Sequence, residues 1–370
     1  MFVKVGQILG TRRDVLPPAL CDELRVLRHS VAPLSPAESR AALDEAYGGD
    51  AGAVLGQVDC RAVASGSIAC VYRAVAEDGR PVAVKLQRPA AEAIVARDLA
   101  LLAVAARAAA RLPFLRDVPV EGLLADVSAA IRGQLDFPRE AEALERLREN
   151  LSRVPRVWVP KTEPGLGRER ALVMEYIPGL DAYPADRFPP AKARMFARSA
   201  LTAIYEMLFV DGFVHCDLHP GNLYFTDSGQ VVILDAGFSI QLSERLRRLF
   251  GEFFLNMSLG RGRRCAEIVV RSASAVRDDA DIGAFSDGLA DLVERNFRVP
   301  ARDFSLIAFA TEMFDLQRRH GLTAATELVF PLLSLLVVEG TIRALDPEVD
   351  FQEVARPVLT RGVFGAGARR

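Results

Sequence analysis

The segment FVHCDLHPGN, residues 213–222, contains two of the four histidines in this 370-residue chain. His215 and His219 are four residues apart, a spacing that on a helix would suit a zinc-binding pair. Pro220 and Gly221 argue against a continuous helix, and no third zinc ligand is evident. We therefore expect a loop that the two histidines shape through backbone and side-chain hydrogen bonds.

Polar side chains within and beyond this loop are suited to phosphate chemistry. Asp217 could orient or deprotonate a nucleophile, and the amide oxygen of Asn222 is a ligand that Mg²⁺ accepts. The segment VVILDAGF, residues 231–238, reads as an apolar strand that ends at Asp235, a second candidate metal ligand. Taken singly, each of these features is also typical of an ordinary loop or strand end.

A strand-rich segment lies earlier in the chain. The alternating, Val- and Ala-rich residues 60–89 predict three antiparallel strands, at 60–64, 68–76 and 80–87. Lys85 ends the apolar stretch VAVK in the third strand, where its charge needs either a phosphate partner or solvent at the strand end. The turn between the first two strands consists of Ala64, Ser65, Gly66 and Ser67. Such small residues let backbone N–H groups approach a phosphate, although a plain hairpin turn has the same composition.

Helical segments surround these strands. A short helix should follow the N-cap Ser35, an Ala-rich helix should cover 90–111, and Pro138 should interrupt or restart the next helical stretch. Residues 157–179 read as a strand, a loop and a strand, and the chain is mostly helical after 190.

The expected C-terminal part contains one hairpin around Asp227–Gly229, within 221–238, followed by a helical series from 242 to 360. The change of character near Gly179 is the best domain boundary. We expect a helical extension at 1–58, a sheet-containing lobe at 59–178 and a helical lobe at 179–370.

Composition limits the classes of function. Half of the residues are hydrophobic, a quarter are charged and the net charge is -2, which gives no basic field for nucleic acid. The five cysteines form no CxxC pair, which favours a reduced, cytoplasmic setting. The longest strongly apolar run, LVFPLLSLLVV at 328–338, has eleven residues, whereas a membrane span takes roughly 20. We expect a buried helix there and no transmembrane helix.

The order of the candidate residues is more specific than any one of them. A small-residue turn, a strand lysine, a glutamate-bearing helix, an aspartate loop with a later asparagine, and a strand-end aspartate are the parts of a protein-kinase-like phosphoryl-transfer site. The sequence thus predicts an α+β, bilobal, protein-kinase-like fold with a nucleotide cleft between a small sheet-containing lobe and a larger helical lobe.

Several motifs resemble those of the UbiB/AarF (ABC1/ADCK-type) atypical kinases. The resemblance covers nearly the whole chain, in the segments KVGQILGTRRDVLPPAL (4–20), AVASGSIACVYRA (62–74), QLDFPREAEAL (134–144), HCDLHPGN (215–222) and VVEGTIRALDPEVD (337–350). The first matches the family's KxGQ motif through Lys4 and Gln7, which the resemblance places at the cleft. In this family that extension covers the place where a protein substrate would dock.

The resemblance also implies roles for the cleft residues. Lys85 would contact the α- and β-phosphates and pair with Glu140, while Asp217 would stand where the catalytic aspartate stands. Asn222 and Asp235 would hold Mg²⁺ brought with ATP. The hinge beside adenine would be MEYIPG (174–179), with Glu175, Tyr176 and Ile177.

Three positions depart from the family's pattern. The ExD motif reads Gln134-Leu135-Asp136, which replaces a salt bridge from Lys4 with a weaker neutral acceptor. Ala236 stands in place of the usual Phe of the metal-binding loop, and Gly66 in place of the usual Ala of the nucleotide loop.

The expected function is that of an ATP- and Mg²⁺-dependent atypical kinase or ATPase connected with isoprenoid quinone or related lipid biosynthesis. The phosphoryl acceptor would be water, a small molecule or a lipid-like molecule. Two alternatives stay open: a nucleotide-binding scaffold in a biosynthetic protein complex, and a small-molecule or protein kinase outside the quinone pathway. The expected location is the cytoplasm, with peripheral contact at the inner membrane face also open.

Overall fold

The computed structural model describes residues 32–109, 120–180, 187–297, 299 and 302–364. Lys4, Gln7 and the rest of the first 31 residues of the expected helical extension lie outside these ranges. The helices are α1 (Pro36–Tyr47), α2 (Ala51–Leu55), α3 (Ala91–Ala109), α4 (Val120–Gly133), α5 (Phe137–Leu151), α6 (Pro190–Tyr205), α7 (Glu244–Ser258), α8 (Gly262–Ser272), α9 (Ile282–Asn296), α10 (Leu306–Arg319), α11 (Thr326–Leu345) and α12 (Phe351–Phe364). The strands are β1 (Gln57–Ser65), β2 (Ala69–Val75), β3 (Pro81–Gln87), β4 (Val157–Trp158), β5 (Ala171–Glu175), β6 (Phe213–His215), β7 (Leu223–Phe225), β8 (Val231–Ile233), β9 (Ser239–Gln241), β10 (Ala273–Val276) and β11 (Leu322–Ala324).

The smaller lobe contains an antiparallel sheet of order β1-β2-β3-β5. The three strands expected between residues 60 and 89 are confirmed, each within three residues of its expected bounds. Side chains of β3 alternate between the two faces of the sheet, as the strand period requires. Val84 packs with α1, whereas Ala83 packs with the main core. Lys85 is therefore directed to the Ala83 side, toward α5.

Helix α1 covers the other face of this sheet. Ser35 caps the helix and shares a capping box with Glu38, as its position before an apolar periodic segment predicts. The hydroxyl groups of Ser39 and Tyr72 form a buried hydrogen bond of 2.8 Å. These contacts leave only one face of the sheet directed toward the cleft.

Helix α5 carries a buried stripe at helical spacing. The Asp136 carboxylate accepts a hydrogen bond from the Arg139 N–H at 3.0 Å and caps the helix, and Pro138 lies in its first turn. The expected restart at Pro138 is confirmed, because proline fits the first turn of a helix. Glu140, Leu144, Leu147 and Leu151 lie on the buried face. The same periodicity that buries the leucines thus carries a carboxylate into the interior.

The larger lobe is mainly helical and contains three small strand groups. The hairpin expected around Asp227–Gly229 is confirmed as β7 and β8. Both strands expected in 157–179 form, but β4 pairs with β8 and not with the four-stranded sheet. The helical series expected from 242 to 360 is interrupted by the pair β10–β11, and β6 pairs with β9. Strands of three or four residues are too short to show a period in the sequence.

Helix α11 extends well beyond the apolar run that marks it in the sequence. It has 20 residues, with Pro331 inside, and by length and composition alone it could cross a membrane. However, 59% of its apolar window is buried inside the protein. The expectation of a buried helix is confirmed, although the helix is longer than the eleven-residue run suggested.

Helix α12 approaches the chain segment that leads into β6. A π-helical turn at Glu206–Asp211 continues α6, and Gly362 of α12 packs on it. A Cβ added at Gly362 would lie 2.4 Å from the Phe209 carbonyl oxygen. The glycine therefore permits the close packing of α12 on this turn.

A pair of glycine substitutions tests this close approach. Gly362→Ala should destabilise the protein by about 1–3 kcal/mol, because backbone must move to admit the methyl group. The matched change Gly340→Ala, in α11, meets no atom of the described residues within 4 Å and should stabilise by about 0.5–1 kcal/mol. Urea unfolding of both variants measures the change in the free energy of unfolding. Equal changes in the two variants would contradict the close packing of Gly362 on Phe209.

Candidate active site

Lys85 lies between two carboxylates at the junction of the lobes. Its Nζ is 2.7 and 2.8 Å from the two carboxylate oxygens of Glu140 and 3.0 Å from Asp235 Oδ2. The Lys85 side chain is 11% exposed and that of Glu140 is fully buried, while that of Asp235 is 40% exposed. Strand β3, helix α5 and the loop after β8 thus each contribute one charged group.

The charges in this cluster do not balance. Burial disfavours the Lys85 ammonium, but Asp235 and Glu140 outweigh it, and the pKa of Lys85 is raised above its ordinary value. Burial raises the pKa of Glu140 to about 7, with Asp235 adding to the shift and Lys85 opposing it. One ammonium between two carboxylates leaves a negative charge in excess, which raises the pKa of Lys85, whereas burial is the main cause of the raised pKa of Glu140.

Asp235 reaches this position through an unusual backbone conformation. Its φ angle is 57°, in the left-handed region that residues other than glycine seldom adopt. The next glycine, Gly237, lies beside Glu140, and a Cβ there would be 3.2 Å from Glu140 Oε2. The left-handed backbone at Asp235 turns the chain so that the Asp235 carboxylate reaches Lys85. The absence of a side chain at Gly237 leaves room for Glu140.

The 213–222 segment ends a strand and then turns, as expected. His215 is completely buried; its Nε2 lies 3.0 Å from the Leu234 carbonyl, and its Nδ1 accepts the Asp217 N–H at 3.1 Å. Because Nδ1 accepts, Nε2 carries the ring proton and donates it to Leu234. Burial lowers the pKa of His215, which favours this neutral form. The residue thus ties the loop to the strand end that precedes Asp235.

His219 and Asn222 complete the turn. The Gly221 N–H donates to His219 Nδ1 at 2.9 Å, and a Cβ on Gly221 would lie 2.7 Å from the His219 ring. The Asn222 amide nitrogen donates to the Asp217 carbonyl at 2.9 Å. The structural role expected for both histidines is confirmed by these bonds. Since the loop is not helical, the spacing that would favour a zinc pair does not apply.

The residues expected to bind a metal have suitable chemistry. The Asn222 amide nitrogen is engaged, which leaves its oxygen for a cation, and Asp235 supplies a partly exposed carboxylate. Oxygen donors of this kind suit Mg²⁺. Within the described ranges no group of three or more His, Cys, Asp or Glu side chains could hold a metal alone. A cation here would need further oxygens, such as those of phosphates or water.

Helix α11 supports the strands that carry these loops. Ser334 donates a buried 2.9 Å hydrogen bond to the His215 carbonyl. Phe330 packs edge-on against Phe238, with ring centroids 5.1 Å apart. The Cys216 N–H in turn donates to the Phe238 carbonyl at 2.8 Å. Sequence reasoning identified α11 as a core helix but missed the role of Ser334, since a serine in an apolar run carries no sign of its partner.

The turn expected to approach phosphate lies where β1 meets β2. Arg88, just after β3, donates to the Gly66 carbonyl at 2.9 Å, to Ser65 Oγ at 2.8 Å and to the Ala32 carbonyl at 2.7 Å. The turn of Ala64, Ser65, Gly66 and Ser67 is therefore held by an arginine that the sequence analysis did not single out. The feature of the sequence that could have drawn attention to Arg88 is its position three residues after Lys85.

The expected hinge follows β5. Glu175 pairs with Val82, and its carboxylate accepts the Trp158 indole N–H at 3.1 Å. The Arg73 guanidinium lies over the Tyr176 ring, with its Cζ 5.1 Å from the ring centroid. The side chain of Ile177 is buried. Trp158 and Arg73 thus hold the side chains of Glu175 and Tyr176.

The ExD-like turn lies close to the loop that carries Asp235 and Gly237. Gln134 and Asp136 precede α5, and a Cβ on Gly133 would be 3.7 Å from the Gly237 carbonyl. The exposed Asp136 acts as the N-cap of α5 in the described structure. Lys4 and Gln7, the proposed partners of this turn, lie outside the described residues.

The two lobes and the charged cluster between them define a protein-kinase-like class of protein. The model of the ABC1 atypical kinase-like domain matches residues 26–269, and that of the UbiB helical domain matches residues 289–350. The chain therefore belongs to the ABC1 atypical kinase-like family, as its motifs predicted.

Curated relatives agree with this assignment, and a solved structure agrees with the fold. A probable protein kinase UbiB from Pseudomonas putida is 32% identical over 376 residues, which cover 98% of this chain and 68% of that protein. The corresponding protein of Pseudomonas fluorescens is 32% identical, with 98% and 69% covered. A solved Mycobacterium tuberculosis structure, described as the Rv3197–erythromycin complex, is 19% identical with a TM-score of 0.64 and covers 97% of this chain and 90% of that one. The expected α+β bilobal, kinase-like fold is confirmed.

The raised pKa of the buried Glu140 carboxyl predicts a pH dependence of stability. A carboxyl whose folded pKa is raised from 4.5 to about 7 stabilises the fold at low pH, and the contribution is lost as pH rises through 7. Between pH 5 and pH 8 the wild type should therefore lose up to about 3 kcal/mol more unfolding free energy than Glu140→Gln.

Urea unfolding across this pH range measures the difference. Asp235→Asn should also flatten the dependence, because one lysine then faces one carboxylate. The exposed control Glu244→Gln should keep the wild-type slope. If Glu140→Gln also kept the wild-type slope, the raised pKa assigned to Glu140 would be wrong.

Proposed function

We propose that this protein binds Mg-ATP between its lobes and transfers or hydrolyses the γ-phosphate. The observation that carries this proposal is the Lys85 cluster, in which a strand lysine contacts Glu140 and Asp235. Such an arrangement supplies a cation for phosphate oxygens and a carboxylate for a metal from opposite lobes. Membership in the kinase-like family supports the same chemistry.

The surrounding residues would bind the nucleotide. The turn at Ala64, Ser65, Gly66 and Ser67 would cover the phosphates through its backbone N–H groups, with Arg88 holding its shape. Glu175, Tyr176 and Ile177 would lie beside adenine, where the backbone after β5 is held by its pairing with β3. Lys85 would contact the α- and β-phosphates, with Glu140 holding its ammonium in place.

Asp235 and Asn222 would hold Mg²⁺ with phosphate oxygens completing its ligands. The ion, when bound, would neutralise the negative charge that develops on the phosphoryl group. In the described structure the Asp235 carboxylate contacts Lys85, and a second cation would relieve the excess negative charge there. The shared loop contacts hold Asn222 and Asp235 together, because the Leu234 N–H donates to the Asn222 carbonyl at 2.9 Å.

Asp217 would position the attacking hydroxyl or water and accept its proton. Its backbone N–H is held by His215, and its carbonyl by Asn222, so the loop orients it from both sides. A neutral His215 that already donates to Leu234 is unsuited to serve as the base. The proton therefore passes to the Asp217 carboxylate.

The acceptor would be a small or lipid-like molecule, in line with a role in isoprenoid quinone or related lipid biosynthesis. Relatives described as probable protein kinase UbiB support this connection. A cytoplasmic location, with contact at the inner membrane face, belongs to the same proposal. The competing function is a nucleotide-binding scaffold, and the departures from the family's pattern at Gln134 and Ala236 are the features that favour it.

Turnover of Mg-ATP by matched aspartate variants tests the proposal. Asp235→Ala should lower turnover by a factor of about 10² or more, because the phosphoryl charge loses its metal. Asp217→Asn should lower it by about 10²–10⁴ while nucleotide still binds, because only the proton acceptor is lost. Asp227→Asn, an exposed hairpin residue paired with Arg187, should retain wild-type turnover.

Phosphate release and transfer of labelled γ-phosphate are the two readouts. Equal turnover by the wild type and Asp235→Ala would contradict the site. If the wild type binds ATP but shows no turnover with any acceptor, the protein is a nucleotide-binding scaffold and not an enzyme.

A further inference from the structure

Helix α11 contacts the two strands that flank the candidate catalytic loops. It belongs to the part of the chain matched by the model of the UbiB helical domain, residues 289–350. Strand β6 ends two residues before Asp217, and β9 begins four residues after Asp235. Because the two strands pair with each other, a contact with either of them lies where both loops are attached.

The pairing of β6 with β9 directs the His215 carbonyl away from β9. His215 lies opposite Ser239, and the next residue, Cys216, donates its N–H to the Phe238 carbonyl at 2.8 Å. In an antiparallel pair, residues that bond across to the partner strand alternate with residues whose backbone groups point away from it. Cys216 is of the first kind, so His215 is of the second.

Ser334 supplies a donor to this carbonyl. Its hydroxyl donates to the His215 carbonyl at 2.9 Å, and the two residues are 3% and 0% exposed. A carbonyl buried in this way needs a partner inside the protein. Ser334 is also the one polar side chain in the run LVFPLLSLLVV, residues 328–338. The bond to β6 therefore offsets the burial of a hydroxyl in an apolar helix.

One residue connects Ser334 with Asp217. The carbonyl of His215 accepts from Ser334, and its ring Nδ1 accepts the Asp217 N–H at 3.1 Å. Phe330, one helical turn before Ser334, packs on Phe238, which directly precedes β9. One face of α11 therefore contacts both strands, through a hydrogen bond at β6 and an aromatic contact at β9.

A buried carboxylate holds α11 in place. Glu339 is 2% exposed and accepts the N–H groups of Leu306 and Ile307, in the first turn of α10, at 3.1 and 2.9 Å. It also accepts a hydrogen bond from Arg343 Nε at 3.0 Å. The first N–H groups of a helix have no partner within their own helix, so these bonds anchor α11 to α10. The Ser334 hydroxyl thus comes from an anchored helix.

We propose that Ser334 is a positioning residue for Asp217, which it holds through the backbone and ring of His215. The inference rests on the proposed role of Asp217 in phosphoryl transfer, since a displaced carboxylate accepts the proton less well. Helix α11 lies outside residues 26–269, which the kinase-like model matches. The helical domain therefore contributes to the rate of the reaction, while ATP binding depends on other residues.

Mg-ATP turnover by Ser334→Ala and Ser39→Ala tests the proposal. Each variant loses one buried hydroxyl hydrogen bond, but that of Ser39 lies on the face of the small-lobe sheet that α1 covers. Ser334→Ala should lower kcat about tenfold or more and leave KM for ATP within about twofold, because a misplaced catalytic group weakens the transition state. Ser39→Ala should keep the wild-type kcat. A wild-type kcat in Ser334→Ala would overturn the proposal.

The same substitution in an Asp217→Asn background shows whether Ser334 acts through Asp217. If it does, Ser334→Ala should lower the remaining turnover by less than about twofold, because the group that it positions is already lost. An equal loss in both backgrounds would give Ser334 a general structural role and refute the positioning role.

Hydrogen exchange of the full chain, followed by mass spectrometry, gives a readout that needs no turnover. Amides in a peptide that contains residues 213–222 should exchange at least about fivefold faster in Ser334→Ala and at the wild-type rate in Ser39→Ala. Unchanged exchange in Ser334→Ala would show that Ser334 does not hold the loop. A wild type without turnover would contradict the proposed function instead, and the exchange rates would still decide whether Ser334 holds the loop.

Discussion

The arrangement of the cleft depends on how the buried charge of Lys85 is satisfied. A lysine in the middle of an apolar strand is tolerated only with partners, and here Glu140 and Asp235 supply them from two other elements. Removing one partner of a buried pair costs roughly 3–5 kcal/mol. The requirement therefore links strand β3, helix α5 and the loop after β8, and so determines how the two lobes face each other.

The loops of the larger lobe keep their shape because backbone groups are bonded in place. His215 bridges the Asp217 N–H and the Leu234 carbonyl, and the same helix that appears as an apolar run in the sequence holds β6 through Ser334. His215 and Ser334 thus hold the backbone of the loop that carries Asp217.

Much of this arrangement was predictable from particular residues. The strand period located Lys85, Pro138 marked the start of α5, and Pro220-Gly221 excluded a helix around the histidines. The contacts of Arg88 and Ser334 and the pairing of β4 with β8 were not predictable, because they join residues that are 22 to 119 positions apart. Such contacts depend on tertiary packing, which the local pattern does not contain.

The proposed chemistry requires Asp235 and Asn222 to hold a cation that arrives with the nucleotide. The most direct measurement is the affinity for ATP with and without Mg²⁺, by calorimetry, in the wild type and in Asp235→Asn. Mg²⁺ should strengthen ATP binding by the wild type at least tenfold and have little effect on Asp235→Asn. An equal response to Mg²⁺ in both proteins would contradict a cation site at Asp235.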